Sequence, residues 1–230
     1  MIKGFRGTSL VDYPGKIASV IYLCGCNFRC PFCYNIELLL PEYYRELPDY
    51  TEEEVIDLLE KRKNFIQGIV ISGGEPTIWG KKLFFLVEKI KYHLSLPIKL
   101  DTNGSNPELL EKLLNEGLID FIAMDFKTSP KKYELLGGNF SAIQSSLNLL
   151  QAFPEKVEIR ITLYPPLVDD KDFEDMLTYL KGFKFIALQK YLPEKNLSGE
   201  AVKPYTIEEY EKFYLKGTSS LPDVIWIKRF

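Results

Sequence analysis

All four cysteines of the chain fall between residues 24 and 33. Three of them, Cys26, Cys30 and Cys33, stand in a C-x3-C-x2-C spacing within Cys24-Gly25-Cys26-Asn27-Phe28-Arg29-Cys30-Pro31-Phe32-Cys33-Tyr34-Asn35. A disulfide framework would spread its cysteines along the chain to close large loops. Thiols crowded into one short loop point instead to a metal or redox site. Three thiolates on such a loop can ligate three irons of a cubane cluster, for which thiolates are the usual ligands. The fourth iron then stays open, as a catalytic metal keeps a position open where a structural one is closed. Cys24, two residues before Cys26 and in strand register, reads as a small buried hydrophobe. The competing reading is a zinc knuckle. Zinc sites ask for paired C-x2-C units plus further Cys or His, and the one histidine, His93, falls inside an expected helix.

Further residues capable of chemistry follow apolar runs. Gly73-Gly74-Glu75-Pro76 offers backbone that can approach a ligand closely, and a carboxylate or carbonyl that can accept from an ammonium group. Taken alone, it reads as a strand-to-helix turn. Asp101-Thr102-Asn103-Gly104 contains an Asn-Gly turn dipeptide. Asp125-Phe126-Lys127 places a carboxylate two residues from an ammonium. Asp101 and Asp125 fall at equivalent ends of neighbouring strands, where two carboxylates repel unless a cation lies between them. Arg160, in Glu158-Ile159-Arg160-Ile161-Thr162, sits on a buried-looking strand and needs a partner, Glu158 or Asp125, because a lone buried charge is very costly. Gln189 is a polar candidate near the end of the sixth expected strand.

The elements that must position these groups alternate. Strands are expected at Ile17–Leu23, Gly68–Ser72, Ile98–Thr102, Phe121–Phe126, Val157–Leu163 and Phe183–Lys190, with a short seventh at Val224–Ile227. Helices are expected at Glu52–Asn64, Lys81–Leu94, Pro107–Asn115, Ser141–Ala152, Lys171–Leu180 and Ile207–Lys216. Thr51 with Glu54 reads as a capping box, and Asn106-Pro107 as an N-cap followed by proline at the first helical position. Such alternation implies βαβ units and a parallel sheet. It leaves open a partly closed barrel or a doubly wound sheet, and in either case ligands sit at the carboxyl ends of the strands. The candidate residues follow those ends.

The 230 residues fit a single domain, with a core of about residues 15–192 and a C-terminal extension, 193–230. A hydrophobic content of 46% supports a substantial core, and a net charge of −3 gives no basic surface for nucleic acid. No apolar run reaches the roughly 18 residues of a membrane span. The first residues lack the apolar segment of a signal peptide, so the expected location is cytoplasmic, with no membrane partner.

The C-x3-C-x2-C motif, with Phe32 before its last cysteine, resembles the signature of the radical S-adenosylmethionine superfamily. With Asp12-Tyr13-Pro14-Gly15-Lys16 upstream, the chain looks like the glycyl-radical-enzyme activating branch. It is most similar to the anaerobic ribonucleoside-triphosphate reductase activating proteins, over about residues 4–195. The resemblance implies an α/β fold, a partial (β/α)6 TIM-like barrel. It implies a [4Fe-4S] cluster on Cys26, Cys30 and Cys33, with S-adenosylmethionine chelated at the open iron. Reductive cleavage gives methionine and a 5′-deoxyadenosyl radical, which takes hydrogen from a backbone glycine of a partner protein. Gly73, Gly74 and Glu75 would receive the methionine amino group. Phe32, Asp101, Thr102, Asn103, Asp125, Lys127 and Gln189 would line the cofactor pocket. Lys127 and Arg160 would serve catalysis, and a monovalent cation could sit near Asp101 and Asp125. The implied partners are the large subunit of an anaerobic ribonucleotide reductase and, without a second cysteine cluster, flavodoxin or ferredoxin as electron donor.

Other functions remain open on the sequence. One is a pyruvate formate-lyase-type activating enzyme, and another a small-molecule enzyme similar to carboxy-deazaguanine synthase. An iron–sulfur carrier or zinc-stabilised binding module is a third. An open groove favours an activase, a capped pocket with added polar ligands favours a small substrate, and indifference to S-adenosylmethionine favours the carrier.

Overall fold

The computed structural model describes residues 1–194 and 196–229. Lys195 and Phe230, within the expected C-terminal extension, lie outside the described residues. The chain separates into two compact units. The first comprises Met1–Asn27, Asn35–Thr102 and Glu108–Ile122, and the second Phe28–Tyr34, Asn103–Pro107 and Ala123–Phe230. Strand order follows chain order from β1 to β8.

The first unit begins with β1 (Ile2–Ser9), antiparallel to β2 (Ala18–Leu23). β1 was not expected from the sequence. Its two glycines, Lys3 and Arg6 break the apolar pattern of a buried strand, and its register slips twice along β2. β3 (Gly68–Gly73) and β4 (Ile98–Thr102) then add in parallel. Ile69, Val70 and Ile71 are all fully buried, the continuous apolar run of a strand covered on both faces.

Between these strands run α1 (Pro41–Tyr44), α2 (Glu52–Glu60) and α3 (Lys81–Leu94), followed by α4 (Pro107–Asn115). α3 buries Leu83, Leu86, Val87 and Ile90, spaced i, i+3, i+4, i+7. Each such side chain contributes roughly 1.5–3 kcal/mol on burial. The Thr51–Glu54 capping box is present. The helix it starts stops at Glu60 rather than Asn64, because the chain must reverse into β3. Gln67 N–H donates to Ile17 O and Gln67 Oε1 accepts from Ile17 N–H, pinning that return.

β5 (Phe121–Asp125) starts in the first unit and ends in the second. The second unit continues with α5 (Phe140–Leu150), β6 (Val157–Leu163), α6 (Asp170–Leu177), β7 (Phe185–Lys190), α7 (Ile207–Ser220) and β8 (Ile225–Arg229). β6, β7 and β8 are parallel. Along β6, Ile159, Ile161 and Leu163 are fully buried, while Glu158, Arg160 and Thr162 share the opposite face. α6 and α7 start on capping boxes at Asp169–Asp172 and Thr206–Glu209. α7 runs to Ser220, beyond the expected Lys216, and Gly217 lets Trp226 pack against it, since a Cβ there would lie 2.6 Å from the indole.

Candidate active site

In the first unit, β2 delivers the chain into Cys24-Gly25-Cys26. Cys24 is 2% exposed, its N–H donates to Met1 O at 3.0 Å and its carbonyl accepts from Trp79 Nε1 at 2.8 Å. Burial pushes its thiol up from the ordinary value, as suits a small buried side chain. Gly25 adopts φ +84°, donates to Leu38 O at 2.7 Å and accepts from Glu75 N–H at 2.8 Å.

The glycines at the end of β3 explain that proximity. A Cβ on Gly73 would lie 2.1 Å from Leu23 O, and one on Gly74 2.1 Å from Gly25 O. The close approach these glycines permit is therefore made to the segment leading into Cys26. Glu75 is fully buried, and its Oε1 accepts from Thr77 N–H (3.0 Å), Thr77 Oγ1 (2.6 Å) and Thr102 Oγ1 (2.8 Å). Two expected cofactor residues, Glu75 and Thr102, are thus bonded to one another. Asp101 Oδ2 accepts from Ser72 Oγ at 2.9 Å, and Oδ1 is paired with the buried Lys99. Lys99 and Asn35, whose Nδ2 donates to Gly73 O at 3.0 Å, were not singled out from the sequence. Lys99 had a signal, the K-x-D spacing that puts both charges on one face of a strand.

In the second unit, the remainder of the cysteine loop is held by aromatic packing and backbone bonds. Phe28 is 1% exposed and meets Tyr133 edge-on, and Arg29 N–H donates to Leu136 O at 2.8 Å. Cys33 N–H donates to Cys30 O at 3.0 Å, placing those two thiols on one turn. Pro31 O accepts from Leu197 N–H at 2.8 Å. Phe32 packs on Tyr164 with ring centroids 5.3 Å apart, and Lys127 Nζ lies 5.7 Å from the Phe32 centroid.

Asp125 sits between two cations. Its Oδ1 accepts from Arg160 Nε at 2.6 Å and its Oδ2 from Lys127 Nζ at 3.1 Å. Of the two partners expected for Arg160, Asp125 accepts from its Nε, while Glu158 Oε2 accepts from Arg229 at 2.7 Å. Burial raises the Asp125 carboxyl, but Arg160 and Lys127 together outweigh it and hold the group at about 2. Lys127 N–H donates to Tyr133 Oη at 3.1 Å, and burial pushes that phenol up. Asn103 Oδ1 accepts from Ser105 N–H at 2.9 Å, and Gly104 takes φ +77°, the geometry of a turn. Gln189 stands in register with Thr162 and Arg229. His93, on exposed α3 surface, lies 3.7 Å from Glu60.

None of the four cysteines is in a disulfide. Among the described residues, no three His, Cys, Asp or Glu side chains converge to share one metal ion. A cubane sets a different demand, since each thiolate ligates a different iron. Three thiols on one short loop, none in a disulfide and two of them on a single turn, suit that demand. Among the described residues, no helix is long and apolar enough to cross a membrane.

The Radical SAM superfamily model matches residues 20–180. A Methanocaldococcus jannaschii protein provisionally named a glycyl-radical enzyme activating enzyme is 34% identical over 204 residues, 84% of this chain and 81% of that protein. The pyruvate formate-lyase-activating enzyme of Streptococcus mutans is 28% identical, over 80% of this chain and 73% of its own. Among solved structures, Streptococcus suis SuiB bound to S-adenosylmethionine gives a TM-score of 0.67 at 15% identity, covering 92% of this chain and 50% of that one. Escherichia coli QueE gives 0.57 at 14% identity, covering 99% and 92%. The chain thus spans about half the length of SuiB. These likenesses show the fold, the mostly parallel α/β, partial TIM-like barrel class expected from the sequence. The chain belongs to the radical S-adenosylmethionine superfamily and, within it, to the glycyl-radical enzyme activating family. It is an enzyme, and its superfamily implies a [4Fe-4S] cluster and S-adenosylmethionine as cofactors.

Proposed function

We propose that this enzyme places a glycyl radical on the large subunit of an anaerobic ribonucleotide reductase. The observation that carries the reading is the three-thiol loop of Cys26, Cys30 and Cys33 in a chain of the activating family. Those thiolates would hold the cluster. When bound and reduced, the cluster supplies the electron that splits S-adenosylmethionine into methionine and a 5′-deoxyadenosyl radical.

The chain's own part is to hold, orient and shield. The carbonyls of Gly73 and Gly74 would receive the methionine ammonium, with Glu75 and Thr102 stiffening the turn that presents them. Phe32, Asp101, Asn103 and Gln189 would line the pocket. Lys127 and Arg160 would present positive charge toward substrate while Asp125 keeps both in place. Lys99 beside Asp101 and Arg160 beside Asp125 already neutralise these carboxylates, so the reading needs no monovalent cation. Flavodoxin or ferredoxin would deliver the electron.

The test is anaerobic reconstitution to about four irons and four sulfides per chain. Reduced protein with S-adenosylmethionine is then mixed with candidate glycyl enzymes, ribonucleotide reductase and pyruvate formate-lyase. A glycine-centred doublet in the electron paramagnetic resonance spectrum of the reductase, lost when its target glycine is replaced by alanine, is the expected result. A doublet on pyruvate formate-lyase alone would reassign the partner. Turnover of a small purine-like substrate with no doublet on either would overturn the activase reading.

A further inference from the structure

We propose that Asn35 is a positioning residue that closes the cysteine loop, pinning both of its ends to the Gly73-Gly74-Glu75 turn. The inference rests on the reading that this loop holds the cluster.

The upstream end of the loop is Gly25, next to Cys26. Its carbonyl accepts from Glu75 N–H at 2.8 Å. The downstream end is Asn35, two residues after Cys33, and its Nδ2 donates to Gly73 O at 3.0 Å. The same downstream segment grips the upstream end directly, because Gly25 N–H donates to Leu38 O at 2.7 Å. Leu38 N–H in turn donates to Asn35 O at 3.0 Å. A ring of hydrogen bonds therefore runs from Gly25 through the β3 end to Asn35 and back through Leu38.

Asn35 stands at the N-cap of the short 3-10 helix Ile36–Leu38, where an asparagine ordinarily accepts from its own helix. Its side chain makes no such cap. It is used to reach a carbonyl 38 residues away instead. The turn it reaches has little slack. Gly74 N–H is bonded to Leu23 O at 2.9 Å, a Cβ on Gly74 would strike Gly25 O, and the Glu75 carboxylate is fixed by Thr77 and Thr102. Fixing both ends of the loop lowers the entropy cost of ordering the ligands between them. Residues behind metal ligands commonly affect metal affinity by about 10–100-fold.

The test compares full-length Asn35→Asp and Asn35→Gln with the native chain. Asn35→Asp is nearly isosteric but puts a carboxylate against Gly73 O, and Asn35→Gln keeps an amide donor. After anaerobic reconstitution, iron loss to a chelator should be roughly 10–100-fold faster for Asn35→Asp, with part of that loss recovered in Asn35→Gln. In the cluster-free proteins, amide exchange at Gly25 and Glu75 should quicken in Asn35→Asp, while Ile69–Ile71 exchange as in the native chain. Native iron retention and exchange in Asn35→Asp would overturn the proposal, and so would equal loss in both variants. If the native chain takes up no cluster, the proposed function fails, and exchange at Gly25 and Glu75 alone decides the role of Asn35.

Discussion

Arg160 Nε donates to Asp125 Oδ1 at 2.6 Å, alongside the backbone bond from Phe126 N–H to Arg160 O at 2.9 Å. The ion pair therefore lies beside a backbone bond that ties the residue following β5 to β6. Lys127 closes the second carboxylate oxygen.

Removing Arg160 should be felt in both titration and stability. The folded Asp125 carboxyl, at about 2, lies below the ordinary value, so its contribution is present above the unfolded pKa, about 3.9, and is lost as pH falls toward 2. In Arg160→Leu, burial opposes Lys127 alone, and the carboxyl should titrate higher. We expect a loss of about 2–3 kcal/mol at pH 7, because a partly buried charge loses one partner. Carbon-detected titration of Asp125 with urea unfolding reads both, and an unmoved midpoint would refute the account.

Glu75→Ala and Glu75→Gln should separate. Alanine leaves the donors of Thr77 and Thr102 without their buried acceptor, costing about 3 kcal/mol or more. Glutamine keeps a carbonyl oxygen for those donors, and should retain most of the stability. Equal thermal stability of the two variants would show that the carboxylate does not brace the turn.

Gly74→Ala should disturb iron binding as well as S-adenosylmethionine binding. The new methyl must displace Gly25 O from 2.1 Å, and backbone cannot yield as a flexible side chain does. A destabilisation of about 3–4 kcal/mol, or roughly 10 °C in a chain of this size, is expected. Iron content after reconstitution is the deciding measurement. Full iron loading with normal melting would mean that the turn relaxes freely.

Cysteine replacements should divide by position. Alanine at Cys26, Cys30 or Cys33 should abolish stable cluster binding. Cys24→Ala should keep its iron and lose only about 1 kcal/mol, since a small buried group is trimmed. Loss of the cluster in Cys24→Ala would require a different ligand set.

The chemistry-bearing loop was legible because its information is local: three thiols within eight consecutive residues need no knowledge of the fold. β4, β6, α3 and α4 match their expected bounds for the same reason, as apolar periodicity is a property of neighbouring residues. The T-x-x-E pattern at Thr206 carried the same kind of signal as Thr51. β1 escaped because an edge strand with two glycines and two cations forms by pairing with β2, not through its own pattern. What the side chains do to one another was decided only in three dimensions. Arg160 bonds to Asp125, 35 residues away, while Glu158 is paired with Arg229, 71 residues away. Asn35 leaves its own helix to hold Gly73. A sequence states which donors and acceptors exist, but burial must pair each of them somewhere, and which partner lies within about 3 Å depends on strand register and on how the turns close.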